Sequence, residues 1–191
     1  MSSILKVDQL QDSGGNEIIT SNGSGTITVN NQTFKNGITM ADQFRLTADL
    51  TASADPISAN LERVDDATFG KIGTGMSLSS GVYTFPTTGL YKVEATAMLK
   101  WNNDPDSIQV ETYASSDSGS NYDMIARIAC HYNVSDVLQL VFSSSAFVNV
   151  TNASTFRVKF RLGSLDSNNS LVGSTSENYT YFTFIRLGDS V

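Results

Sequence analysis

The sequence has little of several residue types that would point to particular classes of protein. It contains one cysteine, one histidine, one tryptophan and three prolines in 191 residues. One cysteine excludes an internal disulfide, and one histidine leaves no Ser, His and Asp set that spacing can nominate as a hydrolase triad. No apolar run approaches the length of a membrane span. We therefore expect a protein that is not an enzyme, inserts into no membrane and carries no cofactor.

Charge is also scarce and mostly of one sign. Charged residues make up 16 % of the chain, with a net charge of −7, against about 25 % charged residues in an average globular domain. An acidic surface repels phosphate backbones, so we expect no nucleic-acid partner. Residues 1–8 lack the basic start and apolar centre of a signal peptide, which predicts synthesis in a cytoplasm without secretory export.

Ser, Thr, Asn and Gly are abundant, and apolar residues alternate with polar ones, which favours β-structure. Tyr91–Lys100 alternates over ten residues. Pro86 has to end the strand before it, and Gly89 supplies the turn. The segment 155–162 alternates cleanly as well. Shorter strands are predicted at 44–50, 69–72, 108–113, 122–132, 137–142 and 146–150, which together indicate an all-β jelly-roll sandwich.

Residues 1–42 form a distinct region. Their apolar residues come in short clusters separated by Gly-, Ser- and Asn-rich turns about ten residues apart. Each cluster is too small to close a core, and isolated small β units are marginal in water. We expect copies of this arm to intertwine and share one core, the alternative being a flexible tail. The predicted domains are therefore an attachment and trimerisation arm at 1–42 and a body at 43–191.

The stretch Gly81–Tyr91, with Pro86 and Gly89 at fixed places, resembles the signature of the C1q/tumour-necrosis-factor family. Tyr179–Leu187 is apolar on both faces and resembles the last strand of that family, and the resemblance covers about residues 61–191. It implies a C1q/TNF-like jelly roll that assembles as a homotrimer with the last strand near the threefold axis. The candidate residues of the trimer interface are Tyr179, Tyr181, Phe182 and Phe184. The beginning of the chain, Ile4–Leu10 with Gly15–Thr20, is similar to the beginnings of bacteriophage fibre and appendage proteins.

Few residues suggest ligand chemistry. Asp104, Asp106, Asp117 and Asp123 match no defined calcium loop, and together with the pair at 65–66 they are interpreted as solvated carboxylates. We therefore expect no metal site. Cys130 and His131 are neighbours on a strand and face opposite ways, so they form no dyad. Cys130 is interpreted as a small buried hydrophobe.

Two surface features leave alternatives open. Arg157, Lys159 and Arg161 are either a docking stripe for an acidic partner or anionic host polysaccharide, or an outward strand face paired with carboxylates such as Glu94 or Glu111. Aromatic residues near one end of the sandwich are either a patch that stacks on sugar or, for the tryptophan, a lid on the core. These glycan-contact candidates are Trp101, Tyr113 and Tyr122.

These patterns predict a virion structural protein of a bacteriophage, a trimeric appendage or decoration held to the capsid or tail by its N-terminal arm. One alternative is a receptor-binding tail-fibre tip that recognises host surface polysaccharide. A second alternative is a cellular C1q-like recognition ligand. The expected partners are two further copies of the chain and other virion proteins, and the expected location is the virion after synthesis in the host cytoplasm.

Overall fold

The computed structural model describes residues 9–24, 27–29, 37–102, 106–133, 135–166 and 168–191. These residues form β-strands, turns and loops and no helix. The strands are β1 (Gln9–Gln11), β2 (Glu17–Ser21), β3 (Ile27–Val29), β4 (Met40–Leu46), β5 (Leu61–Arg63), β6 (Ser77–Ser79), β7 (Val82–Thr84), β8 (Gly89–Asn102), β9 (Asp106–Ser115), β10 (Asp123–Tyr132), β11 (Val137–Val150), β12 (Arg157–Gly163), β13 (Ser170–Leu171) and β14 (Tyr181–Gly188). The prediction of an all-β protein is confirmed.

The chain divides into two compact units, Met1–Gly37 and Ile38–Val191. The predicted boundary between residues 42 and 43 falls inside β4 and is placed too late. The reason is that Met40 and Asp42 are buried in the second unit, where β4 pairs with β14. We call the first unit the arm and the second the body.

In the arm, β1, β2 and β3 form an antiparallel three-stranded sheet in chain order. The turn between β1 and β2 is held by the carboxylate of Asp12, which accepts the backbone N–H groups of Gly14 at 2.8 Å and Asn16 at 2.9 Å. Gly15 has a φ of 81°, which a glycine adopts at little cost. Residues 1–8, which carry part of the similarity to virion proteins, lie outside the described residues.

The body is a sandwich of two antiparallel sheets. One has five strands in the order β10-β9-β12-β7-β6, and the other has the order β11-β8-β14-β4-β5, with β13 also pairing with β8. Inward residues of both sheets form one core. The rings of Phe160 and Phe182, from opposite sheets, stack at 3.9 Å between centroids, and Tyr83 packs against Phe44 at 5.1 Å. These contacts fix how the sheets face each other, and so which side chains point outward.

The corner predicted from the proline and glycine positions is present. Strand β7 ends at Thr84, before Pro86, and β8 begins at Gly89. Gly89 has a φ of 151°, and a Cβ atom there would lie 2.6 Å from the carbonyl oxygen of Gly188. The glycine is therefore required both by the backbone conformation and by the close approach of the last strand.

Three strand predictions need correction. The segments 137–142 and 146–150 are one strand, β11, because Ser143, Ser144 and Ser145 pair with β8 like their neighbours. The segment 69–72 is a loop that contains a single bridge, between Ile72 and Ala41. The predicted strand at 44–50 starts earlier, at residue 40, and ends at residue 46.

Strand β10 contains a bulge that the alternation did not reveal. The register against β9 shifts between Met124 and Ala126, which leaves Ile125 as the extra residue. Regular alternation through the predicted strand at 122–132 would place Tyr122 and Met124 on the same side as Cys130. Because the bulge reverses the facing, Met124 instead pairs with Tyr113 on the outer side and is exposed.

Candidate functional site

The outward side of the six-stranded sheet, which consists of β11, β8, β14, β4, β5 and β13, carries the features of an interaction surface. We call it the six-stranded face and define it by the outward side chains of β11, β8, β14 and β4. The strand registers align these side chains in rows across the sheet. One row is Phe147, Lys92, Ile185 and Ala41; the next is Ser145, Glu94, Thr183 and Gln43; the next is Ser143, Thr96, Tyr181 and Arg45; the last is Val141 with Met98.

Apolar side chains are exposed along the β11 edge of this face. Phe147 is 68 % exposed and Val141 is 54 % exposed. Val137, at the start of the same strand, is exposed as well. Ile185 and Met98 lie half-buried in the neighbouring strands. Ser143 and Ser145 lie between Phe147 and Val141 on this edge, so the apolar side chains form two separate groups. Large exposed apolar side chains on a sheet face are typical of a surface that a partner covers.

The middle of the six-stranded face is polar but internally satisfied. The hydroxyls of Thr96 and Ser143 lie 2.7 Å apart, and the amide of Gln43 donates to the hydroxyl of Thr183 at 2.9 Å. Lys92 forms an ion pair with Glu94. Because these groups already have partners, covering the face leaves them hydrogen-bonded and costs little desolvation energy.

One border of the face is a buried arginine surrounded by carboxylates. Arg45 is 1 % exposed and contacts Glu62 at 2.7 Å, Asp65 at 2.6 Å and Asp66 at 2.7 Å. Burial lowers the pKa of Arg45, but Glu62 and Asp66 outweigh it and hold the pKa above its ordinary value. The pair at 65–66, weighed as a weak metal candidate, is therefore engaged in ion pairs.

The predicted interface residues lie on both sides of β14. Phe182 and Phe184 are 0 % exposed and pack in the core of their own chain. Their assignment to a trimer interface is wrong, because a neighbouring subunit has no access to them. Tyr181 lies half-buried on the six-stranded face, and Tyr179 lies in the loop before the strand, where a hydrogen bond with Glu177 raises its pKa. For these two residues the interface assignment stays a prediction.

The predicted glycan patch is not assembled as expected. Trp101 is 0 % exposed and packs edge-on against Tyr132 at 4.9 Å between centroids. It is part of the core, as the alternative interpretation held, and cannot stack on a sugar. Tyr113 and Tyr122 are partly exposed on the outer side of the five-stranded sheet, on either side of Lys159.

The row of cations at 157–161 faces outward and has carboxylate partners. Arg161 contacts Glu111 at 2.8 Å, and Lys159 contacts Asp55 at 2.7 Å. Pairing with Glu111 was predicted and is confirmed. Glu94, the other suggested partner, lies in the opposite sheet.

The other residues considered in the sequence form neither a catalytic nor a metal-binding group among the described residues. Cys130 is half-buried against the core, and burial raises the pKa of its thiol. His131 is exposed on the opposite side. Asp117 accepts hydrogen bonds from Asn121 and Ser115, which lower its pKa to about 2. Among the described residues no three His, Cys, Asp or Glu side chains group as a metal site, and Asp104 lies outside them.

Sequence reasoning missed a groove of about 470 Å³ beside β5 and β6, lined by Phe44, Leu61, Arg63, Met76 and other residues. The Arg63 guanidinium lies 4.7 Å from the centre of the Phe44 ring and contacts Asp42 at 2.9 Å. The cation in this groove is therefore already neutralised and stacked, so the groove offers no free charge to a ligand.

Within the described residues, no helix is long and apolar enough to cross a lipid bilayer. No protein-family model matches the chain, and no curated protein matches it. Among solved structures, it is similar to Eiger TNF from S. frugiperda, with 14 % identity, a TM-score of 0.59, and coverage of 80 % of this chain and 94 % of that one. It is also similar to murine APRIL, with 10 % identity, a TM-score of 0.51, and coverage of 78 % and 98 %. The chain therefore folds as a TNF-like jelly-roll sandwich.

Proposed function

We propose that this protein is a structural component of a bacteriophage particle, a homotrimeric appendage or decoration that attaches through its arm. The observation that carries the homotrimer in this proposal is the exposed apolar edge of the six-stranded face, where Phe147 is 68 % exposed. Covering such an exposed aromatic side chain with a neighbouring copy removes its apolar area from water, which stabilises the assembly.

The face fits association between identical copies. Closed rings of identical subunits are the common form of soluble homo-oligomers, and each subunit in a ring offers the same surfaces to its neighbours. The exposed edge at Phe147 and Val141 and the half-buried surface around Tyr181 belong to one sheet. In a ring of three, the edge of one copy packs on the half-buried surface of the next.

The arm supplies attachment in this proposal. It is a separate compact unit with its own three-stranded sheet, and its described side chains are exposed or half-buried. Its sequence resembles the beginnings of virion appendage proteins. The TNF-like fold of the body does not by itself separate a virion component from a cellular ligand, so the virion assignment rests on the arm.

The test is incorporation of an arm-deleted chain into particles. Residues 1–37 are removed, because a deletion to residue 42 would also remove the buried Met40 and Asp42 of β4. Purified particles from infected cells that supply either the full chain or the deleted chain are compared by quantitative mass spectrometry. We expect the full chain in the particles and the deleted chain free and folded, as judged by circular dichroism.

Two results would overturn the proposal. Normal incorporation of the deleted body would remove attachment from the arm. Absence of the full chain from purified particles would remove the virion role altogether. Sedimentation of the deleted body separately reports whether the body forms trimers without the arm.

A further inference from the structure

The outer side of the five-stranded sheet gathers cations in an otherwise acidic protein. Its register places Arg127, Glu111 and Arg161 side by side across β10, β9 and β12, and Tyr113 beside Lys159 in the next row. Arg157, the first residue of β12, lies two residues before Lys159 and pairs with Ser115 of β9. We call this surface the cationic face; its cations are Arg127, Arg157, Lys159 and Arg161.

Charge on this face is only partly neutralised. It holds four of the twelve Lys and Arg residues of a chain whose net charge is −7. Among the residues that the structure describes, two carboxylates contact these cations: Glu111, which is 4 % exposed, and Asp55. In the part of the chain that the structure describes, Arg127 and Arg157 form no ion pair. The face therefore attracts anions while the rest of the protein repels them.

Several of these side chains are held in place. The hydroxyl of Tyr113 donates to Glu111 at 2.9 Å, and Arg161 donates to the same oxygen at 2.8 Å. Arg157 donates to the carbonyl oxygens of Phe156 at 2.7 Å and Ser154 at 2.9 Å. Groups that are already ordered lose little conformational entropy when a ligand binds, which favours binding.

Two aromatic rings lie among the cations. The ammonium of Lys159 is 4.5 Å from the ring centre of Tyr122 and 5.5 Å from that of Tyr113. Burial raises the pKa of Tyr122, Lys159 and Arg157 lower it, and the carboxylates of Asp117 and Asp55 raise it, so charges of both signs act on this ring. Partly exposed tyrosine rings give an apolar, flat contact surface beside groups that bind anions.

We propose that the cationic face binds an anionic polysaccharide, a polymer of sugar rings that bear carboxylate or sulfate groups. The apolar side of a sugar ring fits Tyr113 and Tyr122, and the guanidinium groups of Arg127 and Arg157 fit its anions through charge-assisted hydrogen bonds. Outward side chains two residues apart on a strand are about 7 Å apart. That regular spacing suits a repeating anion better than a single small one.

This site is independent of the virion assignment. The two sheets turn their outer sides away from each other, so association through the six-stranded face leaves the cationic face open to a ligand. Several copies in one assembly would increase the apparent affinity for a polymer.

The test measures binding of the full chain to polymers that differ in charge but share sugar chemistry. Dextran sulfate and polygalacturonate are the anionic probes, neutral dextran is the uncharged control, and poly-L-glutamate is the acidic polypeptide control. Binding is followed by biolayer interferometry at low and high NaCl. We expect saturable binding to an anionic polysaccharide that weakens with salt, and none to dextran.

The variant Arg127→Gln/Arg157→Gln removes the two cations without an ion pair, and we expect about tenfold weaker binding from two exposed charge contacts. The control Lys71→Gln/Lys100→Gln removes the same charge from an exposed loop residue and from β8 in the opposite sheet, and should bind as the parent does. Tyr122→Ala should weaken binding and Tyr122→Phe should preserve it.

Three results would overturn the proposal. One is no binding to either anionic polysaccharide. Another is an equal loss of binding in the Lys71→Gln/Lys100→Gln control, which would show that binding depends on the net charge of the protein and not on this face. The third is binding of poly-L-glutamate as tight as that of the polysaccharides, which would indicate an acidic protein partner instead.

Discussion

Replacing Phe147 by serine isolates the contribution of the six-stranded face to assembly. A phenylalanine side chain buries about 200 Å² when it is fully covered. With 68 % of the residue exposed in the single chain, about 135 Å² remains to be covered, which at about 25 cal/mol per Å² is worth about 3 kcal/mol for each subunit. Over three subunits the loss is about 10 kcal/mol, or about seven orders of magnitude in the trimerisation constant.

The concentration at half-assembly scales as the inverse square root of that constant, so it should rise by about a thousandfold or more. Sedimentation velocity from about 0.1 to 100 μM measures it; these concentrations span the micromolar range of specific association. Met124→Ser is the matched control, because Met124 is 49 % exposed on the opposite sheet. At a protein concentration low enough for the parent and both variants to be monomeric, the free energies of unfolding in urea should agree within about 0.5 kcal/mol, since exposed side chains contribute little to the stability of the single chain.

The reasoning fails under either of two results. A parent protein that remains monomeric at the highest concentration has no such interface. A Phe147→Ser protein whose half-assembly concentration is unchanged, or changed no more than that of Met124→Ser, places the interface elsewhere. The estimate of about 3 kcal/mol for each subunit takes the whole exposed area of Phe147 to be covered in the trimer, so it is an upper limit.

The sequence predicted the parts of the fold that local chemistry decides. Pro86 cannot donate a hydrogen bond to a sheet, and Gly89 accepts a backbone conformation that other residues resist, so the corner between β7 and β8 follows from two residues. The alternation in β8 and β12 also assigns inward and outward sides correctly. Pairing of Arg161 with Glu111 follows from such outward sides once the strands are neighbours.

The parts that failed depend on pairing between distant segments. Three consecutive serines read as a turn, yet in β11 they continue a strand because β8 pairs with all of them. Ile125 is apolar and gives no sign that it is the extra residue of a bulge, so the outward placement of Met124 was missed.

The last strand posed a related problem, because Phe182 and Ile185 lie on opposite sides and both are apolar. Only the opposing sheet, through Phe160, decides which side is the core. Arg127 was missed for the same reason: its neighbour Glu111 is known only from the pairing of β10 with β9. The only sign of Arg127 in the sequence was its alternation with Ile128 and Cys130, which places its side chain on the outward side of β10.

Three further predictions concern stability and titration. Phe182→Ala should cost about 3–5 kcal/mol in urea unfolding, because it removes the ring stacked on Phe160; a loss below 1 kcal/mol would contradict the core assignment. Cys130→Ser should cost roughly 1–2 kcal/mol, and the raised pKa of the thiol should make the parent label slowly with iodoacetamide at pH 8; rapid labelling would refute its burial. Asp117 should titrate near pH 2 in the folded protein, below its ordinary value of 3.8, because hydrogen bonds from Asn121 favour the charged carboxylate. Because the pKa of Asp117 is lower in the folded protein than in the unfolded chain, its carboxylate stabilises the fold at pH values above the unfolded pKa. This contribution is lost as the pH falls through the folded pKa of about 2. NMR titration of the carboxyl carbon measures this directly. A midpoint at or above 3.8 would show that the hydrogen bonds from Asn121 do not persist in solution.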